Sequence, residues 1–362
     1  MTKELHQQLA SKLEQRKSNG NLRKLNNYEG FTDFFSNDYL GLGRGSKKLE
    51  TSYDYIGSAR LIAGNTPFHT ALEEKCATLF NSASSLLFNT GYSANLGVLS
   101  SIPQKDDLIL YDEFSHASIK DGIRLSLAKA FKFKHNDVSD LTKKLENNKY
   151  ANVFVVIEGL YSMEGDLAPI EEISKCCKGF NANLIIDEAH SGGVYGQNGS
   201  GLCSTYNLDN VFLRIFTFGK AFGAHGACVV ADKIVIDYLI NFARSFIYTT
   251  ALPKVIVKHI SNQLERKDFQ SKQEQLQDIV KYFNVTFNAL NISADQTSPI
   301  KTIQFSSPSH LKEIESKLHK EKFGVKAIYS PTVPKGNERL RISLHAHNTK
   351  TEINRLLELI LG

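Results

Sequence analysis

The stretch Thr217-Phe218-Gly219-Lys220-Ala221-Phe222-Gly223 sets a single lysine among two phenylalanines and two glycines, just after the apolar residues Val211, Phe212, Leu213, Ile215 and Phe216. A solvated lysine needs no such setting. Close packing strips water from an ammonium group, lowers its pKa and leaves a neutral amine that can act as nucleophile or base. Lys220 is therefore the residue around which the chemistry of this chain is read.

Other residues would complete a site around such an amine. Asp187 closes the run Leu184-Ile185-Ile186 and precedes Glu188-Ala189-His190. A carboxylate at the end of a buried parallel strand can face a ligand, although an aspartate there can also cap a helix. Asp-Glu-Ala-His also occurs as the metal-binding box of helicases, a chemistry that needs a phosphate loop G-x-x-x-x-G-K-[S/T]. Here Arg214 stands where that loop has its first glycine, and Ala221 follows the lysine. Phe88-Asn89-Thr90-Gly91-Tyr92-Ser93-Ala94-Asn95 reads as strand, turn and helix start, where free backbone amides attract phosphate. His116, within Ser115-His116-Ala117-Ser118, can lay an imidazole over an aromatic ring or cap a helix. Arg339 and Arg341 alternate onto one face of a strand, and arginine is the usual fork for a carboxylate; the other reading is a solvated strand edge. One cofactor asks for all of these together. Pyridoxal 5′-phosphate (PLP) needs a lysine for its aldehyde, a carboxylate that keeps its pyridine nitrogen protonated, a phosphate cup and a cover for its ring. The conjunction predicts a PLP site centred on Lys220, and no metal site.

The elements that must position these side chains follow from periodicity. Leucines at 5, 9 and 13 predict an amphipathic helix over 3–17, ended by Asn19-Gly20-Asn21. Ser36-Asn37-Asp38-Tyr39-Leu40-Gly41-Leu42-Gly43 is turn-rich. From about residue 67, helical spacing (Phe68, Leu72, Cys76, Leu79) alternates with short apolar strands at 85–88, 107–111, 129–133, 153–157 and 184–187. Helices are expected from Gly91, over 116–128 and from Pro169. Strands this uniformly apolar imply a parallel sheet with helices on both faces. After Leu252-Pro253 the rhythm becomes α+β: one long helical stretch over 254–285, a strand at 302–305, a helix at 309–322, strands near 325–329 and 339–344, and a last helix at 351–361. The expected organisation is an N-terminal helix and arm (1–45), a large cofactor-binding domain (46–252) and a small C-terminal domain (253–362).

Composition narrows the function classes. The 362 residues are 41% apolar and 22% charged, which fits a globular enzyme and excludes a disordered chain. No run of about 18 apolar residues is present, so no membrane span is expected. Met1-Thr2-Lys3-Glu4-Leu5-His6 lacks the apolar core of a signal peptide. The five cysteines (76, 176, 177, 203, 228) form no C-x-x-C pair. They read as reduced packing residues of a cytoplasmic protein, without structural zinc. A net charge of +5 could favour an acidic partner such as a phosphorylated carrier, and is too small and dispersed for nucleic acid.

At these residues the chain resembles the α-oxoamine synthases, a family of fold-type I PLP enzymes, from about Phe35 to the C-terminus. The carrying stretches are Ser36-Asn37-Asp38-Tyr39-Leu40-Gly41-Leu42, His116-Ala117-Ser118, Glu158-Gly159-Leu160-Tyr161-Ser162-Met163-Glu164-Gly165-Asp166, Asp187-Glu188-Ala189-His190, Thr217-Phe218-Gly219-Lys220 and Ile247-Tyr248-Thr249-Thr250. The resemblance implies that Lys220 holds PLP, Asp187 meets the pyridine nitrogen, His190 meets the ring hydroxyl and His116 covers the ring. Gly91, Tyr92 and Thr217 would meet the phosphate, and Glu158 and Ser162 would line the pocket. Thr249 or Thr250 would reach the phosphate of a second subunit, which makes a homodimer. Arg341 with Asn37 would bind an amino-acid carboxylate, and Arg23 is aligned with an arginine that serves the acyl substrate. Phe218, Phe222 and Tyr248-Thr249-Thr250 favour the branch that joins L-alanine to a pimeloyl thioester of CoA or a carrier protein. The glycine-using branch shares His116-Ala117-Ser118-Ile119-Lys120-Asp121-Gly122. Tyr55 and Ile56 depart from the small residues usual in the family near the substrate entrance.

Overall fold

The computed structural model describes residues 30–43 and 57–362 except 148, 207, 209, 289–291, 306 and 331, together with 11, 14, 15, 17 and 18. Most of the helix expected over 3–17, Arg23, Tyr55 and Ile56 lie outside the described residues.

A seven-stranded sheet carries the site. Its strands are β2 (Ser84–Phe88), β3 (Leu108–Asp112), β4 (Lys129–Phe133), β5 (Val153–Glu158), β6 (Asn183–Asp187), β7 (Val211–Thr217) and β8 (Ala227–Ala231), in the order β2-β8-β7-β6-β5-β3-β4. All are mutually parallel except β8, which runs antiparallel to both β7 and β2. The expected mostly parallel α/β sheet is therefore present, with β8 as a strand that apolar periodicity alone did not single out. Alternation along β5 shows why the strands read as continuous apolar runs. Val153, Val155 and Ile157 enter the core on one face, and Phe154 and Val156 enter the core on the other. Each such side chain contributes about 1.5–3 kcal/mol by leaving water.

Helices α1 (Pro67–Leu79), α2 (Gly91–Ser101), α3 (Ala117–Leu125), α4 (Val138–Glu146), α5 (Ile170–Gly179), α6 (Lys233–Phe242) and α7 (Arg244–Ile247) accompany this sheet. The stretch expected as one helix over 254–285 is two, α8 (Lys254–Leu264) and α9 (Phe269–Thr286), separated by a turn in which Arg266 clamps Asp268 through two bonds of 2.9 and 2.8 Å. A second sheet has the order β12-β13-β10-β9, with β9 at Ile292–Ser293, β10 at Ile300–Gln304, β12 at Lys326–Ile328 and β13 at Arg339–Ser343. Helices α10 (Pro308–Lys320) and α11 (Lys350–Leu361) pack with it. β13 lies between β12 and β10 and is buried along its whole length, so the solvated-edge reading of Arg339 and Arg341 fails.

An arm joins the two sheets. β1 (Thr32–Asp33) pairs in parallel with β11 (Phe323–Gly324). Beyond it, Ser343 N donates to Phe34 O at 2.8 Å and Ala346 N to Tyr39 O at 2.7 Å. Phe34, Tyr39, Leu40 and Leu42 are fully buried. The five cysteines are free thiols, and among the described residues no helix is long and apolar enough to cross a membrane.

Candidate active site

The parallel strands end on one edge of the large sheet, and their last residues converge there. Glu158 closes β5, Asp187 closes β6 directly beside it, and Thr217 closes β7. Lys220 follows in a tight reversal that returns as β8: Phe218 N donates to Gly226 O, Ala224 N to Phe218 O and Gly223 N to Lys220 O, at 2.8–2.9 Å. Gly223 sits at φ +59° against the backbone of Leu42 and Gly43, where a Cβ has no room. Phe218 and Phe222 are fully buried and meet edge to face with ring centres 5.8 Å apart. The reversal is thus rigid and dry on its inner side.

Asp187 is buried and held from two directions. Its Oδ1 accepts Ala189 N at 2.9 Å, and its Oδ2 accepts Asn95 Nδ2 at 2.7 Å. It caps a turn rather than a helix. Asn95 projects from α2, is buried, and also bonds Ser118 Oγ at 3.0 Å. Its Oδ1 has no partner among the described residues. This residue was not singled out from sequence, because a neutral amide inside a helix has no spacing signature. Its neighbour Ser118 bonds His116 Nδ1 at 2.8 Å. His116 caps α3, so the capping reading holds, and its ring also lies in the electrostatic field of Asp187 and Lys220.

The electrostatics follow from burial among few charges. Burial lowers the pKa of Lys220, and the carboxylates Asp187 and Glu158 restrain that fall. Burial raises Glu158, and the neighbouring Asp187 charge raises it further. Burial lowers His116, and Lys220 and Lys120 lower it further against Asp187. His190 is held well below its ordinary value by burial first, then by the charges of Lys220, Arg341 and His116.

At the start of α2, Thr90 and Ser93 form a reciprocal capping box. The box satisfies Ser93 N, while Gly91 N and Tyr92 N precede the first intrahelical bond and have no acceptor among the described residues. Thr217 lies beside Gly91, 3.5 Å from where a Cβ would sit. Asn89 Nδ2 donates to Thr249 Oγ1 and Thr250 O at 3.2 and 2.9 Å, tying that pair to the approach of α2. Tyr92 points its hydroxyl to Asp121.

Arg341 reaches the same region from β13. Nε donates to Ser162 O at 2.6 Å, Nη1 to Ser343 Oγ at 2.9 Å and Nη2 to Asn37 Oδ1 at 3.0 Å. A guanidinium has five N–H donors; one more is directed at the Tyr39 hydroxyl, which among the described residues leaves one for a carboxylate. Arg339 lies on the same face as expected, but it is held by Met163 O at 3.3 Å and by Glu164 at 3.6 Å. Tyr39, from the arm, bonds Asn37 Oδ1 at 3.1 Å and His190 Nδ1 at 2.8 Å. Nearby, Asp33, His345 and His347 bring metal-ligand-type atoms within 4.8 Å of one another. Ser36 Oγ bonds both Asp33 Oδ2 (2.7 Å) and His345 Nε2 (3.0 Å), and this cluster docks the arm onto residues 343–348.

The residues present fit PLP on their own chemistry. Two unpaired amides at a helix start suit a phosphate, a buried carboxylate locked by Asn95 suits a pyridinium, and a desolvated lysine suits an aldehyde. Fold and site together define a PLP-dependent transferase of the type I fold. The chain belongs to the aminotransferase class I and II family, whose model matches residues 29–360. It is 39% identical over 366 residues to an 8-amino-7-oxononanoate synthase of Emericella nidulans, covering 91% of this chain and 88% of that one. Among solved structures it is similar to the 8-amino-7-oxononanoate synthase of Francisella tularensis (32% identity, TM-score 0.79, covering 92% and 97% of the two chains). It is also similar to an SPT structure with a PLP internal aldimine (25% identity, TM-score 0.88, covering 97% and 95%). The resemblance read from the motifs is borne out, and the chain is a PLP-dependent acyltransferase.

Proposed function

We propose that the protein catalyses the decarboxylative condensation of L-alanine with a pimeloyl thioester, of CoA or a carrier protein, giving 8-amino-7-oxononanoate, CO2 and the free thiol in biotin biosynthesis. In this reaction a C–C bond forms between alanine Cα and the acyl carbonyl carbon. The Cα–H bond, the C–S bond and the bond from Cα to its carboxyl carbon break: the acyl carbon takes the place of the lost Cα proton, and a returned proton takes the place of the carboxyl group. The observation that carries the reading is Arg341: a buried guanidinium fixed by three bonds on the side of the site that Asn37 shares, with an N–H donor left for a carboxylate. The names of the similar proteins support the choice of substrates.

PLP, when bound, supplies an electron sink for the bonds broken at Cα. The protein's own residues do the rest. Arg341 and Asn37 hold the alanine carboxylate and so orient Cα. Asp187, kept in place by Asn95 and Ala189 N, faces the pyridine nitrogen and holds its proton. His116 covers the ring, His190 meets the ring hydroxyl, and Glu158 and Ser162 shape the pocket wall. Gly91, Tyr92 and Thr217 bind the phosphate. Lys220 would hold the aldehyde, and its Nζ, when free, would take the Cα proton and is the group placed to return one. Thr249 or Thr250 reaches the phosphate of a second copy in a homodimer, and Arg23 serves the acyl chain. Residues 1–45, 46–252 and 253–362 act as arm, large domain and small domain.

The test measures thiol release and CO2 with alanine, glycine or serine against pimeloyl, acetyl or palmitoyl thioesters. Alanine with the pimeloyl thioester should exceed the others, and Lys220→Ala should lose both turnover and the absorbance band of lysine-bound PLP. Preference for serine with a long acyl chain would move the assignment to the serine palmitoyltransferase reaction.

A further inference from the structure

Arg341, Asn37, Tyr39 and His190 form an unbroken hydrogen-bonded row, from the proposed carboxylate fork to the residue proposed for the cofactor's ring hydroxyl. The row has a direction. Arginine only donates, so the atom of Asn37 at 3.0 Å from Nη2 is the carbonyl oxygen Oδ1. The same oxygen lies 3.1 Å from the Tyr39 hydroxyl. A carbonyl oxygen brings no proton, so the single phenolic proton of Tyr39 fills that contact. Tyr39 then has only lone pairs to offer His190 Nδ1 at 2.8 Å, and Nδ1 must carry the proton. A neutral imidazole has one protonated nitrogen, which leaves Nε2 bare. His190 stays neutral because it is buried and faces the positive charges of Lys220 and Arg341.

Tyr39 is built to hold this arrangement. Its side chain is fully buried, its ring stacks on His345 with centres 6.3 Å apart at 27°, and its carbonyl is tied by Ala346 N at 2.7 Å. Burial pushes its phenol up to about 12, so the proton stays on it at any working pH.

We propose that Tyr39 is a positioning residue that fixes His190 as the Nδ1–H tautomer, so that Nε2 meets the cofactor's ring hydroxyl as an acceptor. The inference rests on the PLP reading above. It makes the hydroxyl end of the cofactor sensitive to a tyrosine that acts through His190. In Tyr39→Phe, which removes only the hydroxyl, the Nδ1 proton would be buried without a partner, and the favoured tautomer becomes Nε2–H. Nε2 then donates to the ring oxygen and favours its ionised form.

The experiment is 15N NMR of histidine-labelled, PLP-loaded enzyme, with the His190 signals assigned by loss in His190→Gln. The wild type should show Nδ1 protonated and Nε2 bare. Tyr39→Phe should move the proton to Nε2. It should also lower, by about one unit, the pH at which the absorbance of the lysine-bound cofactor changes, the size expected for one gained charge-assisted hydrogen bond. A wild type with Nε2–H overturns the proposal whatever the variant does, as does a Tyr39→Phe enzyme with unchanged tautomer and titration. If the wild type forms no lysine-bound band at all, the PLP reading is what fails. A band with the wrong tautomer counts against Tyr39 alone.

Discussion

Burial and charge pull Lys220 in opposite directions, and burial wins: its amine titrates below the 10.5 of an ordinary lysine despite two facing carboxylates. Only the neutral amine attacks an aldehyde. The rate at which PLP-free protein gains the lysine-bound absorbance band should therefore rise with pH and level off before 10.5. A plateau reached only above that pH would show Lys220 to be solvated. Lys220, Asp187, His116 and Arg341 were legible in the sequence because each stands at a strand end, a helix start or an alternating strand position, where a charged group interrupts an apolar pattern. Asn95 and Tyr39 were not, since their partners lie far away in the chain: Asn95 meets Asp187, and Tyr39 meets His190. Only folding reveals that pairing.

At the scale of elements, His135 was also missed, and it is the joint between β3, β4 and the 161–166 loop. Nδ1 lies 2.9 Å from Asp112 at the end of β3, and Nε2 lies 2.8 Å from Asp166. Its ring stacks on Phe114 and meets Tyr161 edge-on, both with centres 4.5 Å apart. Burial opposes its charge, but the two carboxylates raise its pKa from 6.5 to about 10. The folded state therefore holds a proton that the unfolded chain releases above 6.5. This stabilisation is complete below about 6.5, declines as pH rises and is gone once pH passes about 10. Thermal melts should show Tm falling across that window in the wild type and a flatter profile in His135→Gln. The variant itself should cost about 3 kcal/mol near neutrality, because the buried carboxylate of Asp112 loses its cation. The loop it holds carries Ser162, whose carbonyl fixes Arg341 Nε, so KM for alanine should rise as well. Strand β8 escaped the sequence reading for a different reason. Ala-Cys-Val-Val-Ala is short and evenly apolar, and only pairing on both sides distinguishes it from a buried turn.

Over the whole molecule, exposed apolar side chains gather beside Thr250, one of the pair proposed to reach a second copy. Ile62 is 84% exposed, Tyr248 71% and Phe242 56%, and the bridge between Ala59 and Thr250 brings the 57–64 segment beside 248–251. Ile62→Asp should convert the proposed homodimer to monomer in light scattering at micromolar concentration. It should also weaken PLP retention, because Thr249 and Thr250 would lose the neighbouring phosphate. A dimer that survives the charge would place the interface elsewhere. The parallel sheet and the α+β second sheet were both readable from the rhythm of apolar runs, whereas the break between α8 and α9 was hidden by an uninterrupted polar helical pattern. The antiparallel strand β8 has one more consequence. It is wedged between β2 and β7, pairing Phe88 with Ala227, so the strand that leads into the proposed phosphate-binding turn gains its neighbour only well over a hundred residues later in the chain. On the ribosome, the first half of the cofactor pocket must wait, with an open flank, until the lysine has been synthesised and the chain has turned back past it. Vitamin capture would thereby be deferred to the end of assembly of the large sheet, and a truncated chain carrying Gly91 and Asp187 but lacking β8 should not retain PLP.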